Sequence, residues 1–411
     1  MITNDAVVLG LLCVILAMVF GTASSRRPVF RAFYKYVPSI LLCYFIPALL
    51  SSAGIISDEH SNLYFIASRY LLPACLVLLT LSIDLKAVVR LGPKLMVLFL
   101  TGTIGVILGG PLAILIVSIF SPETVGGQGP DAVWRGLTTV AGSWIGGGAN
   151  QAAMKEVFEV GDDIFGALIA VDVLVANLWM AVLLLMAGNA QSIDRWNKAN
   201  TADIEILRRK MEEYKSRIDA IPSLSDTMMV LAAGFGVTAI AHGCADYLSE
   251  TIDASYPALA RFSLTSSFFW LVVIATSGGL LLSFTPARRL EGVGASRIGS
   301  VFLYLLVATI GMKMNVTSVV EYPGLYVVGL IWIAIHAALL LIVARLIRAP
   351  VFFLAVGSQA NIGGAASAPI VASAFHPVLA PVGVLVAVLG YALGTYGAWI
   401  CGQLMRLTAP M

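Results

Sequence analysis

The stretch Gly142-Ser143-Trp144-Ile145-Gly146-Gly147-Gly148-Ala149-Asn150-Gln151 decides how the chain is read. It is glycine-rich and polar, yet it lies among long apolar segments. Backbone that breaks a helix at membrane depth is tolerated only where it is buried in protein or lines a watery cavity. A second stretch of the same character follows far downstream: Gly357-Ser358-Gln359-Ala360-Asn361-Ile362-Gly363-Gly364-Ala365-Ala366-Ser367. Setting Ile145-Gly146-Gly147 on Ile362-Gly363-Gly364 also sets Asn150 on Ser367. A matched pair of glycine-interrupted segments in two halves points to a transporter binding site.

Composition agrees with a membrane setting. Of 411 residues, 59% are hydrophobic and 12% charged, against roughly 25% charged in a soluble domain. Apolar runs of about 20 residues, enough to span a bilayer, recur near 6–23, 38–56, 65–83, 95–120, 164–187, 226–248, 263–284, 298–312, 324–344 and 380–405. The formal net charge of +2 carries no information, and no nucleic-acid partner is expected. Five scattered cysteines lack metal-ligand or C-x-x-C spacing and read as small packing residues. The N-terminus lacks the basic region of a signal peptide, so the first apolar run reads as a retained helix.

The one long hydrophilic run, 188–225, divides the chain. Its middle, 203–218, is compatible with a solvated linker helix. On either side, Thr80-Leu81-Ser82-Ile83-Asp84-Leu85 matches Thr309-Ile310-Gly311-Met312-Lys313-Met314, and a longer loop at 121–134 absorbs the change of register up to the glycine motifs. The reading is a duplication: first repeat 1–187, linker 188–225, second repeat 226–411.

Loop charge decides whether the glycine-rich segments cross, because Lys and Arg collect on the cytoplasmic side. Suppose both are re-entrant and the N-terminus is outside. The inside loops 24–37, 84–94, 188–225, 285–297 and 345–350 then hold nineteen of the 25 basic residues, and the outside loops and C-terminus hold Arg261, Lys313 and Arg406. If both cross, the basic linker lands outside and the bias collapses. Re-entrance leaves five spanning helices per half, and an odd number forces opposite orientations. The expected fold is an all-α membrane protein with ten transmembrane helices. They form two inverted five-helix repeats, each with a glycine-rich re-entrant or broken helix. Both termini are expected outside and the linker inside.

This plan resembles the glutamate:sodium symporters and 2-hydroxycarboxylate transporters, of the superfamily that includes bile acid:sodium symporters and sodium/proton antiporters. Over nearly its full length, and through Gly-Ser-Trp-Ile-Gly-Gly-Gly-Ala-Asn-Gln at 142–151, the chain is most similar to the domain-of-unknown-function 819 family of bacterial membrane proteins. Relatives carry a double glycine at the loop tips, and both copies here keep it. The second copy departs with Ala365-Ala366-Ser367 where the first has Gly148-Ala149-Asn150. The resemblance implies a secondary transporter of the inner membrane, a homodimer, and an elevator-type movement.

The tips carry the chemistry. A re-entrant hairpin leaves helix ends at mid-membrane, where N-terminal N–H groups attract anions and unwound carbonyls can ligate Na+. The expected substrate-binding set is Ser143, Gly146, Gly147, Gly148, Asn150 and Gln151 with Ser358, Gln359, Asn361, Gly363, Gly364 and Ser367. The bland alternative, small-residue helix packing, leaves the clustered amides unexplained. Asp172 lies centrally in an apolar segment, and an intramembrane carboxylate is a functional hypothesis by default. With Asn150, Asn361 and Ser367 it makes the expected ion-coupling set. Asn177 need not share the face of Asp172.

Lys155, Glu156 and Glu159 read as the wet outer end of the first hairpin, with Lys155 and Glu159 spaced as a helical ion pair. His242 and His336 read as interhelical hydrogen-bond partners rather than proton relays. Asp84 and Lys313 read as snorkelling charges at helix ends. No Walker A loop, metal constellation or convergent catalytic group is present in the sequence. The expectation is a non-enzymatic secondary transporter in the lipid bilayer, without a cofactor apart from a coupling Na+. Its cargo would be a small polar, carboxylate-bearing metabolite (an amino acid, di-acid or short peptide) coupled to Na+ or H+. A cation/proton antiporter with Asp172 as exchanger is the first alternative. A channel and a membrane-embedded enzyme are the others.

Overall fold

A computed structural model describes residues 1–34, 37–57, 61–89, 91–199, 204–205, 207, 222–314 and 321–410. The linker helix expected over 203–218 lies almost wholly outside the described residues. No strand occurs among those residues; a single bridge joins Ile2 and Ile56.

Among the described residues fourteen principal helices follow one another, in two runs of the same order. The first run is α1 (Asp5–Ala23), α2 (Ser39–Ser52), α3 (Leu63–Leu81), α4 (Pro93–Phe120), α5 (Val133–Gly146), α6 (Gly148–Val157) and α7 (Asp162–Gly188). The second is α8 (Leu224–Ser255), α9 (Ser267–Ser283), α10 (Ala295–Lys313), α11 (Gly324–Leu346), α12 (Val351–Ile362), α13 (Gly364–Phe375) and α14 (Ala380–Thr408). Local chemistry sets several starts. Asn4 accepts from the N–H groups of Ala6 and Val7, and Ser223 and Asp226 form a capping box on α8.

Eight of these helices are long and apolar enough to cross a membrane. Two are shorter: α2 has 14 residues and α9 has 17, about 21 and 25 Å at 1.5 Å per residue. Ten spans are reached if each is counted with its bent neighbour, Pro28–Tyr34 for α2 and Pro286–Val293 for α9. The latter turns by 96° from α9.

The helices sort into two packed bodies. One comprises α1, α2, α3, α8, α9 and α10, and the other comprises α4–α7 and α11–α14. The contacts pair up across the two runs: α3 on α9 matches α10 on α2, and α3–α10 and α4–α11 are central pairs. Between the bodies the main contacts are α6 with α3, α9 and α10, α14 with α3 and α9, and a small one of α7 with α2. Among the described residues the counterpart of α6, helix α13, makes no contact of that extent with the first body.

Both glycine-rich segments fold back as helical hairpins. A methyl group on Gly142 would lie 2.6 Å from the carbonyl oxygen of Asn150. Residues eight apart in a straight helix are separated by about 12 Å, so α5 and α6 run against each other. The same holds for α12 and α13, where Gln359 Nε2 donates to Ser367 Oγ at 2.7 Å. The turns use Gly147 at φ 74° and Gly364 at φ 58°, a region that L side chains rarely adopt.

Candidate functional site

The two hairpins rest on one face of α14. Gly383 abuts the backbone of Ala368 in hairpin two, and Gly390 and Gly394 abut Ile145 and Gly146 in hairpin one. A methyl group on Gly390 would lie 2.4 Å from the carbonyl oxygen of Ile145. Gly383 and Gly390 are seven residues apart, so the two points of contact lie about 10 Å apart along one rod. Each tip holds the start of a helix, α6 at half-buried Gly148 and α13 at buried Gly364, and neither has a side-chain cap. Their first-turn N–H groups are orphan donors that favour an anionic group. Gly148 faces Ile40 and Leu303 of the first body.

Asp172 is 6% exposed and clamps hairpin one. Trp144 Nε1 on α5 donates to its Oδ1 at 2.6 Å, and Gln151 Nε2 on α6 donates to its Oδ2 at 3.0 Å. Tyr44 OH on α2 donates to Gln151 Oε1 at 3.4 Å, which carries the network into the first body. Both arms of the hairpin are thus tied to one carboxylate. Asn177 faces elsewhere and bonds the carbonyl of Val173.

Asn150 and Asn361 are fully buried and make the same brace on different helices. Asn150 Nδ2 donates to the carbonyls of Gly146 and Tyr391, and its Oδ1 accepts from Thr395 at 2.7 Å. Asn361 Nδ2 donates to the carbonyls of Gly357 and Phe99, and its Oδ1 accepts from Thr103 at 2.8 Å. In each case the straight helix supplies a carbonyl and a threonine four residues on. By hydrogen bonding, then, Asn150 corresponds to Asn361, whereas motif superposition had set it on Ser367. The reason is local: an Asn four residues beyond a glycine can reach back to that glycine's carbonyl.

Ser358 joins a third network. It accepts from Trp179 Nε1 at 2.8 Å and lies 2.8 Å from His336 Nε2, while His336 Nδ1 lies 3.0 Å from the carbonyl of Gly102. A carbonyl only accepts, so Nδ1 carries the proton and Ser358 donates to Nε2. Every group is satisfied with a neutral ring, and His336 acts as an interhelical strut. His242 does the same outside the hairpins, on the carbonyl of Arg69. In hairpin two, the Gln359 side chain meets Ser367 with one end of its amide, and its Oε1 is buried without a partner. Asp172, Asn150, Asn361 and Ser367 therefore sit in separate hydrogen-bond networks.

The outer end of hairpin one is drier than its sequence suggests. Helix α6 ends at Val157, so Lys155 and Glu159 are not paired along it, and Glu159 turns away at φ 50°. Lys155 is 6% exposed and pairs with Asp162 at 2.8 Å, and Glu156 pairs with Arg69 at 3.2 Å. Asp84 is not a bare end charge either: it pairs with Arg288 at 2.9 Å. Lys313 lies 4.6 Å from the centre of the Tyr64 ring. At the base of hairpin two, buried Asp194 accepts from the N–H of Val351 at 2.7 Å. Burial pushes the Asp194 carboxyl up, and that hydrogen bond opposes the shift.

Sequence reasoning missed Arg69, Tyr44, Trp144, Trp179, Thr103, Thr395 and Asp194. Arg69 was open to the same argument as Asp172, being a charge inside an apolar run. The others carry no signal without the fold.

Helices of this length and apolarity, packed around two hairpins, define a multi-pass, all-helical membrane protein. The chain belongs to the family described as "Protein of unknown function (DUF819)", whose model matches residues 10–408. It is also similar to the "Uncharacterized membrane protein YjcL" of Bacillus subtilis (strain 168), with 25% identity over 368 residues that cover 86% of each chain.

Proposed function

We propose that this protein is a secondary transporter of the cytoplasmic membrane. It moves a small polar, carboxylate-bearing solute (an amino acid, di-acid or short peptide) coupled to Na+ or H+. One observation carries the reading: two helical hairpins present uncapped helix starts along one face of α14. A carboxylate is the group such helix starts favour. In this reading the solute contacts the tips around Gly146–Gly148 and Gly363–Gly364, with Gln151, Gln359 and Ser367 beside them. Asn150, Asn361 and Ser358 hold the tips in place through their buried bonds.

The recurring helix order and the loop charges support two inverted repeats, with both termini outside and the linker inside. The division into two bodies supports an elevator-type movement, in which α4–α7 and α11–α14 slide as a unit against α1–α3 and α8–α10. Asp172, wired to both arms of hairpin one, is the proposed coupling carboxylate. The likeness to dimeric transporters supports a homodimer.

The test is solute counterflow in proteoliposomes for amino acids, small di-acids and short peptides, with and without Na+ and pH gradients. The expected result is gradient-dependent flux of one of these classes. Gradient-dependent cation exchange with no organic solute moving would replace this reading with an antiporter.

A further inference from the structure

The ionic cluster at the outer end of hairpin one joins the two bodies. From the hairpin side come Lys155 and Glu156 of α6 and Asp162 of α7; from the other side come Tyr64 and Arg69 of α3 and Lys313 of α10. Glu156 is the crossing point. It accepts from the hydroxyl of Tyr64 and pairs with Arg69 at 3.2 Å, with its side chain 13% exposed. Lys155 Nζ lies 3.5 Å from the same Tyr64 hydroxyl and 5.3 Å from its ring centre, and Lys313 lies over that ring as well. Arg69 is further seated 4.4 Å from the ring centre of Phe268 on α9.

Arg69 occupies an unusual stretch of backbone. Residues Ala67–Leu71 of α3 form a π-helical turn, a feature that concentrates at functional positions. His242 of α8 lies 2.8 Å from the carbonyl of Arg69 and ties this turn to α8. The guanidinium is therefore held by the first body and offered to the second.

Among the described residues the cluster has no counterpart in the other half. Positions equivalent to Tyr64 and Arg69 are Val293 and Ile298, and those equivalent to Lys155 and Glu156 are Ala372 and Ser373. The packing shows the same bias: α6 lies against α3, α9 and α10, and α13 has no contact of that extent with the first body. One hairpin is docked and latched, and the other is not.

We infer that Glu156, through Arg69 and Tyr64, is a positioning residue that latches hairpin one to the first body and holds the protein in the arrangement described here. The inference rests on the two-body transport reading, and it adds that the two end states are unequal because only one has an ionic lock. A movement that carries α6 past α3 must break the Glu156–Arg69 pair first.

The test needs no solute, so its failure is separable from failure of the transport reading. Thr276 on α9 and Thr395 on α14 face each other across the bodies with their hydroxyl oxygens 3.1 Å apart. The reporter is full-length protein in nanodiscs carrying Thr276→Cys and Thr395→Cys, with exposed Cys13 and Cys244 changed to Ser; the loss of the Thr395 donor to Asn150 is common to this parent and to every variant compared with it. Oxidative cross-linking of this pair reads the population of the docked arrangement. Glu156→Gln and Arg69→Gln should each lower the docked-to-undocked ratio by roughly fivefold, the scale of a partly exposed ion pair, and slow cross-linking as the docked population falls. The double variant should be no slower than either single, because both remove one shared interaction. Rates equal to the parent in either single variant, or additive losses in the double, would overturn the latch. Counterflow by the parent protein would then still judge transport on its own.

Discussion

Removing the charge of Asp172 is the sharpest test of how hairpin one is held. Asp172→Asn keeps the shape of the side chain. It turns the bonds from Trp144 and Gln151 from charge-assisted to neutral, a loss of about 1 kcal/mol each. The new amide also points an N–H at a donor unless Gln151 turns over. The hairpin should then open more easily by ~2 kcal/mol. Asp172→Ala goes further and leaves two buried donors unpaired, at about 1–3 kcal/mol apiece, or ~4 kcal/mol together. Hydrogen exchange reads local opening directly. Amides in 133–157 should exchange roughly 30-fold faster in the Asn variant, the factor that ~2 kcal/mol corresponds to. Amides of α11, which lie in the same body, should be unchanged. Wild-type protection of the hairpin in both variants would refute the clamp. Counterflow with and without an imposed gradient tests the second role. Loss of gradient dependence in the Asn variant is expected, and its retention would make Asp172 a structural carboxylate only.

Gly147→Val and Gly364→Val should abolish flux while leaving a membrane-inserted protein. Neither position is crowded, with nothing nearer than 3.9 Å to an added methyl, so the cost is the backbone at positive φ, about 1–3 kcal/mol. Gly147→Asn should then be milder than Val, and equal severity would show that side-chain volume decides. Thr103→Val and Thr395→Val each strip the donor from a buried Asn oxygen. Both should lower stability by about 1–3 kcal/mol in denaturant melts, and a neutral effect would mean the braces contribute nothing. A cysteine replacing exposed Ser192, in protein without Cys13 and Cys244, should react with impermeant thiol reagents only from the cytoplasmic side. Labelling in intact cells would reverse the proposed orientation.

Much of this architecture was legible because membrane helices announce themselves one at a time. Apolar runs at 95–120 and 324–344 became α4 and α11 almost residue for residue. The hairpins followed from glycine and loop charge together. The short α2 and α9 were harder, since an apolar run does not reveal where a helix bends. The site was less legible, for a different reason. Which residues are polar and deep can be read from a sequence, as it was for Asn150, Asn361 and Asp172. Which of them are already saturated depends on partners such as Thr395, 245 positions away from Asn150. Lys155 shows the limit most plainly: its spacing to Glu159 suggested a wet surface pair, and tertiary packing buried it against Asp162 and Phe165 instead.

The dependence of both hairpins on α14 also constrains biogenesis. Residues 142–150 leave the ribosome more than 230 positions before Gly383, Gly390 and Gly394. Until then Asn150 has no Tyr391 carbonyl or Thr395 hydroxyl to bond, and its amide must wait in a half-built bundle. Nascent chains halted before residue 380 should thus carry an unfinished first hairpin, open to chaperones and membrane proteases, and completion of α14 should close both hairpins in a single late step.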